Sequence, residues 1–184
     1  MIELRDIGPA DAERLYHSRR EPEVDRWMYS GPPQRMEDHL RWFEGFLADP
    51  DRTGWIVTRN GGDCGFLGLT GLSGGQERAQ WGWYIGEAEA RGRGAGRAAQ
   101  ALGLDLAFDR FKLQKVWSEV LADNDVALKS QAAAGFRREG YLRRHMLKFG
   151  VYRDVVLLAI LKEEWKARRS AMRRELVASG LIRA

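Results

Sequence analysis

A loop rich in glycine and arginine has the residue types and spacing that could do chemistry. It reads Arg91-Gly92-Arg93-Gly94-Ala95-Gly96-Arg97. The loop follows an expected strand and opens an expected helix at position 94. Glycines leave backbone N–H groups uncovered, and a helix N-terminus adds unpaired N–H groups with a partial positive charge. We interpret the loop as a cradle for a phosphate or pyrophosphate, with a plain strand-to-helix turn as the alternative.

Two familiar phosphate-loop patterns do not fit this stretch. The dinucleotide-binding fingerprint needs glycine at the position of Arg97, and it needs an acidic residue at the end of the next strand. The nucleoside triphosphatase loop needs Gly-Lys followed by Ser or Thr. What remains is an Arg-x-x-Gly-x-Gly pattern, from Arg91 to Gly96, between a strand and a helix.

Length and composition indicate one globular domain. The chain has 184 residues, of which 44% are hydrophobic and 30% are charged, so it can bury a core of ordinary size. No apolar run approaches the ~18 residues of a membrane span, and the N-terminus lacks a signal pattern, so we expect a cytoplasmic protein without a membrane partner. The single cysteine, Cys64, excludes an internal disulfide and a multi-cysteine metal site. No metal cofactor is expected.

The net charge of +4 is mild. Basic residues concentrate at 137–153 and in the tail at 162–183. A solvated face and a phosphate-rich cosubstrate account for this excess, and no nucleic-acid-binding motif is recognised. We therefore expect no nucleic-acid partner.

Hydrophobic periodicity and turn residues predict the secondary structure. Strands are predicted at 1–7, 53–59, 64–72, 80–86, 115–121, 136–145 and 152–161. Helices are predicted from the turn at 8–11 to residue 20, and at 35–48, 94–111, 125–134 and 162–178. In the helix at 35–48, helical spacing predicts an apolar stripe of Met36, Leu40, Phe43 and Leu47.

These elements predict an α/β (α+β) fold with a mixed central sheet flanked by helices. Short connections make the strands between 53 and 86 antiparallel. The strand–helix–strand unit around the glycine loop makes its two strands parallel neighbours. We predict one domain at 1–161 and a C-terminal helical extension at 162–184.

A second motif follows the loop. Asn124 comes shortly after the strand at 115–121, and Gly135-Phe136 ends the next helix. With this ordered pair of motifs, residues 81–140 resemble the acetyl-coenzyme A core of the GCN5-related N-acetyltransferase (GNAT) superfamily. The resemblance implies acetyl-coenzyme A as cosubstrate, and two splayed strands whose exposed backbone binds pantetheine like an added strand. It assigns to the cofactor the residues Tyr84, Ile85, Gly86, Arg91, Arg93, Gly94, Ala95, Gly96, Arg97, Asn124 and Lys129.

The same resemblance implies acetyl transfer from a thioester to an amine. The amine must lose a proton before it attacks, and the leaving thiolate takes up a proton. Glu119 lies on the strand where several relatives carry a carboxylate base, and Tyr84 is assigned with it as catalytic. Relatives commonly have a tyrosine acid where this chain has Gln131, which cannot act as an acid. The proton donor is therefore open among Tyr84, Tyr141, Tyr152 and water.

The N-terminal third supplies the acceptor prediction. It is similar to the nucleotide-sugar N-acetyltransferases of pseudaminic acid biosynthesis, which acetylate the 4-amino group of a UDP-linked amino-dideoxy sugar. Aromatic rings suit stacking on uracil or a sugar, and arginine suits a diphosphate. The predicted acceptor-binding residues are Arg19, Trp27, Met28, Tyr29, His39, Trp42 and Thr70.

The sequence also allows other roles for these residues and other functions for the chain. Trp27 and Trp42 could instead belong to the core, and His39 could bind a phosphate, assist deprotonation or lie on the helix surface. The runner-up function is N-terminal acetylation of a ribosomal protein. A rival of another class is a non-catalytic, coenzyme A-binding regulatory module. A homodimer is also left open.

Overall fold

Seven strands and six α-helices make up the fold of residues 1–183, which the computed structural model describes. The strands are β1 (Ile2–Asp6), β2 (Arg52–Arg59), β3 (Gly62–Thr70), β4 (Arg78–Ile85), β5 (Lys115–Leu121), β6 (Arg137–Lys148) and β7 (Val151–Leu161). The helices are α1 (Ala12–Arg20), α2 (Pro22–Asp25), α3 (Met36–Ala48), α4 (Ala95–Asp105), α5 (Asp125–Ala134) and α6 (Lys162–Ala178). None of these helices has the length and apolar character that crossing a membrane requires.

All seven strands form one sheet in the order β1-β2-β3-β4-β5-β7-β6. Every neighbouring pair is antiparallel except β4 and β5, which are joined through α4 and run parallel. The predicted mixed, mostly antiparallel sheet with a parallel crossover at the glycine loop is therefore confirmed.

The parallel strands β4 and β5 separate along their length. They pair only where Arg78, Ala79 and Gln80 meet Lys115, Val116 and Trp117. Beyond that point β4 continues its ladder with β3, and β5 continues with β7. The sheet thus opens into a wedge between the two strands, next to the loop that leads into α4.

Each face of the sheet is covered by its own helices, because side chains alternate along a strand. On β2, Trp55 joins the large core that also contains α4 and α6 residues, such as Leu104 and Trp165. Its neighbour Ile56 joins a smaller core with Phe43 of α3 on the other face. Helices α1 and α3 therefore cover the face that also carries the Tyr84 side chain.

The buried stripe of α3 differs from the prediction. The helix buries His39, Phe43 and Phe46, whereas Leu40 and Leu47 are exposed. The imidazole can be buried because it bonds a backbone carbonyl of the neighbouring segment, a pairing that apolar periodicity does not reveal.

Several element boundaries also differ, among them the ends of α4 and β6. The helix predicted at 94–111 ends its α-helical part at Asp105 and continues as a π-helical turn, Leu106–Arg110. Strand β6 runs to Lys148 rather than 145, because Phe149 and Gly150 make a two-residue turn with φ angles of 50° and 74°. Positive φ at both positions is typical of a type I′ hairpin, which usually has Asn-Gly there.

The C-terminal helix α6 packs on α4. Asp105 accepts hydrogen bonds from Trp165 Nε1 at 3.0 Å and from Arg173 at 2.7 Å, and Arg169 pairs with the same carboxylate at 2.8 Å. Residue 184, the last of the predicted extension, lies outside the described residues.

Candidate functional site

The loop between β4 and α4 leaves the N-terminus of that helix open. Gly92 and Gly94 have φ angles of 69° and 83°, which glycine adopts without a steric penalty. The first helical hydrogen bond runs from the Ala98 N–H to the Gly94 carbonyl at 3.0 Å. Gly94 is the N-cap residue of α4 and provides no side-chain hydrogen bond to cap the helix. The N–H groups of the first turn therefore remain available, which fits a phosphate-bearing cosubstrate.

Arg91 fastens this loop to the sheet. Its Nε donates to the Ile85 carbonyl at 2.8 Å, and its terminal nitrogen reaches the Gly86 carbonyl. These bonds hold the end of β4 against the loop. The side chain therefore has a structural contact in addition to its predicted role.

Arg93 and Arg97 lie further out. Arg93 pairs with Glu89 at 3.5 Å, and Arg97 pairs with Glu175 of α6. Exposed ion pairs of this kind are weak, of the order of 0–1 kcal/mol. Both guanidinium groups can therefore exchange a carboxylate for a phosphate at small cost.

Ala95 and Gly96 act through their backbone. The Ala95 side chain is buried in the core beneath the loop. A Cβ at Gly96 would lie 2.9 Å from the ring of Trp83 on β4. Glycine at position 96 thus lets α4 approach the strand, which brings the open helix end next to the wedge.

Tyr84, Ile85 and Gly86 form the β4 side of the wedge. Tyr84 pairs with Phe66 of β3 and Ile85 with Gly65, while β5 has already diverged. The Gly86 N–H donates to the Cys64 carbonyl at 2.8 Å. Along residues 81–85 the edge facing β5 has no ladder partner in the described chain, so an extended ligand could pair there.

Asn124 and Lys129 belong to α5. The Asn124 side chain caps this helix by accepting a hydrogen bond from the Ala127 N–H at 3.1 Å. Lys129 is exposed on the same helix. Asn124 thus sets the start of α5 beside β5, and the predicted cofactor contact of Lys129 stays a prediction.

Gln131 occupies the position where relatives commonly have tyrosine. Its side chain is buried and accepts a hydrogen bond from the Ser118 hydroxyl of β5 at 2.6 Å. Neighbouring Ser130 accepts a hydrogen bond from Gln100 of α4 at 2.6 Å. The side-chain amides of Gln100 and Gln131 thus link α4, α5 and β5. Position 131 carries no hydroxyl group that could act as a general acid.

Glu119 faces the other side of β5 from Ser118. Tyr29, from the segment after α2, has its hydroxyl group near this carboxylate. Burial raises the pKa of the Tyr29 hydroxyl, and the nearby Glu119 carboxylate raises it further. Tyr29 therefore stays protonated at neutral pH. The sequence placed Tyr29 in the acceptor site and did not predict that it lies near Glu119.

Tyr84 is buried beside Arg19. Burial raises the pKa of the Tyr84 hydroxyl, although the nearby Arg19 guanidinium acts in the opposite direction. Burial likewise lowers the pKa of Arg19. Arg19 donates to the Ser30 carbonyl at 3.1 Å, while its Nε is buried without a partner among residues 1–183. This site therefore retains one unused donor.

A pocket of about 300 Å³ lies between α1, α3 and β4. It brings together four predicted site residues: Arg19, His39, Trp42 and Tyr84. The sequence did not predict its remaining aromatic walls, which are Phe43, Phe46 and Phe66.

The ring of Phe66 fits the pocket wall because its neighbours on the sheet are glycines. A Cβ at Gly54 would lie 2.7 Å from the ring, and a Cβ at Gly68 would lie 2.8 Å from it. Glycine within a strand was the signal in the sequence, since it marks a close approach. At Gly68 the approaching group is this ring.

His39 lines the pocket, but its imidazole is engaged. The side chain is 3% exposed, and Nε2 donates to the Ala12 carbonyl at 2.8 Å. Burial lowers the pKa of His39, as does the charge of Arg19, and the bond to Ala12 only partly opposes them. The imidazole is therefore neutral and buried, and it joins α3 to the start of α1.

Four predicted acceptor residues do not line the pocket: Trp27, Met28, Tyr29 and Thr70. Trp27 packs against a buried cluster that includes Met146 of β6 and Val155 of β7. Met28 packs against the core under α1 and α3. Thr70 is exposed at the end of β3, where it pairs with Gln80 of β4.

Comparison with known proteins identifies the family. The model of the acetyltransferase (GNAT) domain family matches residues 2–137. The chain belongs to this family. It is an acetyl-coenzyme A-dependent N-acetyltransferase of the GNAT type, as the loop and the wedge between β4 and β5 lead one to expect.

The similar proteins differ in the acceptor that their names state. The chain is 25% identical over 176 residues to the putative ribosomal N-acetyltransferase YdaF of Bacillus subtilis, covering 91% of this chain and 95% of the relative. It is 22% identical to spermidine N(1)-acetyltransferase of Escherichia coli, covering 90% and 89%. The structure of spermidine N-acetyltransferase from Vibrio cholerae in complex with CoA and spermine matches with a TM-score of 0.84 at 20% identity, covering 90% and 98%. At this identity, the similarity to the Vibrio cholerae structure shows a shared fold.

Proposed function

We propose that this GNAT enzyme acetylates a small-molecule amine with a flat, anionic body, such as the UDP-linked amino-dideoxy sugar that the sequence suggested. The pocket between α1, α3 and β4 carries the proposal. Its walls are aromatic, and its charged donor, Arg19, has a buried Nε without a partner in the described chain. Aromatic walls suit a base or sugar ring, and a guanidinium suits a phosphate.

The charge of the pocket argues against a polyamine. Asp38 is the carboxylate among its lining residues. This group already pairs with Arg41, and Arg35 lies 4.0 Å away. A polycation would meet Arg19 and find one carboxylate that is already neutralised.

In the proposed reaction, acetyl-coenzyme A supplies an acetyl thioester in the wedge between β4 and β5. The open N-terminus of α4, with Arg93 and Arg97, binds its phosphates. Glu119 accepts the proton that the acceptor ammonium loses. The aromatic pocket holds the acceptor body, and Tyr84 closes the pocket on the β4 side.

A second candidate acceptor is the N-terminal amine of a ribosomal protein. It is supported by the similarity to the putative ribosomal N-acetyltransferase along nearly the whole chain. A peptide would cross the pocket and extend over its rim, so its affinity should depend on several residues beyond the first.

The test is a thiol-release assay with three acceptors in parallel. A UDP-linked 4-amino-dideoxy sugar should give the largest kcat/KM, and UDP alone should inhibit competitively against it. A kcat/KM about tenfold higher for a ribosomal-protein peptide or for spermidine would overturn the proposal. Tight binding of coenzyme A without release of thiol from any amine would favour the non-catalytic module.

A further inference from the structure

The C-terminal end of α6 and the residues that follow it lie against the glycine loop at 91–97. Leu181 Cδ1 lies 2.6 Å from the position that a Cβ atom at Gly94 would occupy, so the leucine packs directly on this glycine. Arg97, in the first turn of α4, pairs with Glu175 near the end of α6. These contacts come from a part of the chain beyond residues 2–137, which the family model matches. The C-terminal extension therefore meets the loop at two points.

A closed turn after α6 fixes the position of Leu181. Its N–H donates to the Leu176 carbonyl at 2.9 Å, and the Gly180 N–H donates to the Val177 carbonyl at 2.9 Å. This pair of bonds is the Schellman motif that ends many helices, and the φ of 67° at Gly180 fits it. The backbone of Leu181 is therefore held in place independently of its side chain.

The other end of this turn is fastened to the first strand. The Ile2 N–H of β1 donates to the Leu181 carbonyl at 2.6 Å. The next residue, Ile182, is buried in the large core, to which Ala95 of the loop also belongs. Because the turn and the loop rest on the same core, the contact between Leu181 and the loop is supported from both sides.

Gly94 is the corner of the loop. It is the N-cap residue of α4 with a left-handed φ of 83°, and its carbonyl accepts the Ala98 N–H at 3.0 Å. The orientation of this corner sets the direction of the unpaired N–H groups in the first turn of α4. Glycine has no side chain with which to anchor itself, so the corner depends on what packs against it.

We propose that Leu181 is a positioning residue for coenzyme A. It holds the corner at Gly94 and so presents the first-turn N–H groups of α4 to the phosphates. The inference rests on the phosphate-binding role given to this loop in the proposed function. Leu181 acts through Gly94, by keeping the loop in the conformation that binds. The apparent affinity falls by the fraction of time that a loop spends outside its binding conformation.

The ion pair between Glu175 and Arg97 has a smaller share in this arrangement. Both side chains are partly open to solvent, so the pair is weak. A phosphate can take the place of the Glu175 carboxylate at Arg97, whereas no group of the ligand replaces the leucine side chain at Gly94. The apolar contact is therefore the one to test.

The test is calorimetric titration of coenzyme A into the full chain and its variants. Leu181→Ala removes the packing on Gly94 and should weaken coenzyme A binding about tenfold. Leu181→Met keeps the side-chain volume and should bind within about twofold of the wild type. Wild-type affinity in Leu181→Ala would overturn the inference, as would a methionine variant that binds as weakly as the alanine variant.

Met172 supplies the control for loss of stability. It lies earlier on α6, is 4% exposed and belongs to the same core. Met172→Ala should lower the midpoint of thermal unfolding at least as much as Leu181→Ala, because the methionine is more deeply buried. It should nevertheless bind coenzyme A as the wild type does. Equal weakening by the two alanine variants would trace the effect to general destabilisation and would also overturn the inference.

Gly92→Asp separates this inference from the function on which it rests. A negative charge at Gly92 should weaken coenzyme A binding whatever the role of Leu181. If Gly92→Asp binds as the wild type does, the phosphate-binding role of the loop fails. If Gly92→Asp weakens binding and Leu181→Ala does not, only the positioning role of Leu181 fails.

Discussion

The buried amide of Gln131 accepts a hydrogen bond from the Ser118 hydroxyl at 2.6 Å. The position that commonly holds a tyrosine acid in relatives therefore links α5 to β5 in this chain. The contact explains how the fold tolerates glutamine in place of tyrosine, because the buried Gln131 carbonyl and the buried Ser118 hydroxyl bond each other.

Replacement of Gln131 should affect stability more than catalysis. Gln131→Ala leaves the buried Ser118 hydroxyl without its acceptor, which costs about 1–3 kcal/mol. Urea unfolding measures this loss, and thiol release should give a kcat within about twofold of the wild type. A large fall in kcat with unchanged stability would mean that Gln131 takes part in the reaction.

His39 should make stability depend on pH. Its folded-state pKa lies below the unfolded value of about 6.5. Between these two values the unfolded chain binds more protons, so the free energy of unfolding decreases as pH falls through about 6.5. Urea unfolding at about pH 7.5 and about pH 5.5 should show a smaller pH dependence in His39→Gln than in the wild type.

Exposed His17 provides the control for this effect. It lies on α1, 3.9 Å from Glu13 and open to solvent. His17→Gln should retain the wild-type pH dependence. An equal pH dependence in the His39 variant and the wild type would place the responsible group elsewhere.

Trp42 should contribute to acceptor binding rather than to the core. It lines the pocket, its side chain is 50% exposed, and its ring lies 5.5 Å from His39 and 5.7 Å from Phe46. Trp42→Ala removes one stacking wall, worth about 1–3 kcal/mol for a bound base. The KM for the acceptor should rise about tenfold, with the KM for acetyl-coenzyme A unchanged.

Leu40 supplies the comparison for Trp42. It is exposed on the same helix and does not line the pocket. Leu40→Ala should leave both KM values unchanged. If Trp42→Ala raised neither KM value, the acceptor would lie outside this pocket.

The sequence predicted the parts of the molecule that depend on local chemistry. Gly92 and Gly94 adopt the positive φ angles that a glycine loop allows, and the helix begins after them. The parallel pairing of β4 with β5 followed from the order of strand, helix and strand along the chain. The Gly135 cap of α5 has a φ of 109°, as a left-handed C-cap requires.

The unpredicted features depend on contacts between distant residues. Lys148 Nζ lies 3.3 Å from Asp25 Oδ1, and the two residues are 123 positions apart, so neither charge indicates its partner. His39 is buried because its imidazole bonds the Ala12 carbonyl of α1, and Gly96 is needed because Trp83 lies beneath it. Such pairings arise only when elements pack, which explains why residue types near the site were predicted better than their contacts.

The open N-terminus of α4 can be tested without disturbing the core. The Cβ position of Gly92 has no heavy atom within 4 Å, and its φ of 69° is one that Asn and Asp tolerate. Gly92→Asp places a negative charge at the loop, and Gly92→Asn places a neutral side chain of the same shape. A unit charge near a bound phosphate costs on the order of 1–2 kcal/mol at a protein surface.

Calorimetric titration of coenzyme A into the wild type and these two variants tests whether this loop binds the phosphates of the cosubstrate. Gly92→Asn should bind nearly as tightly as the wild type. Gly92→Asp should bind about tenfold more weakly, and the difference should shrink as salt is added. Equal affinity in all three proteins would contradict the assignment of this loop to the phosphates of acetyl-coenzyme A.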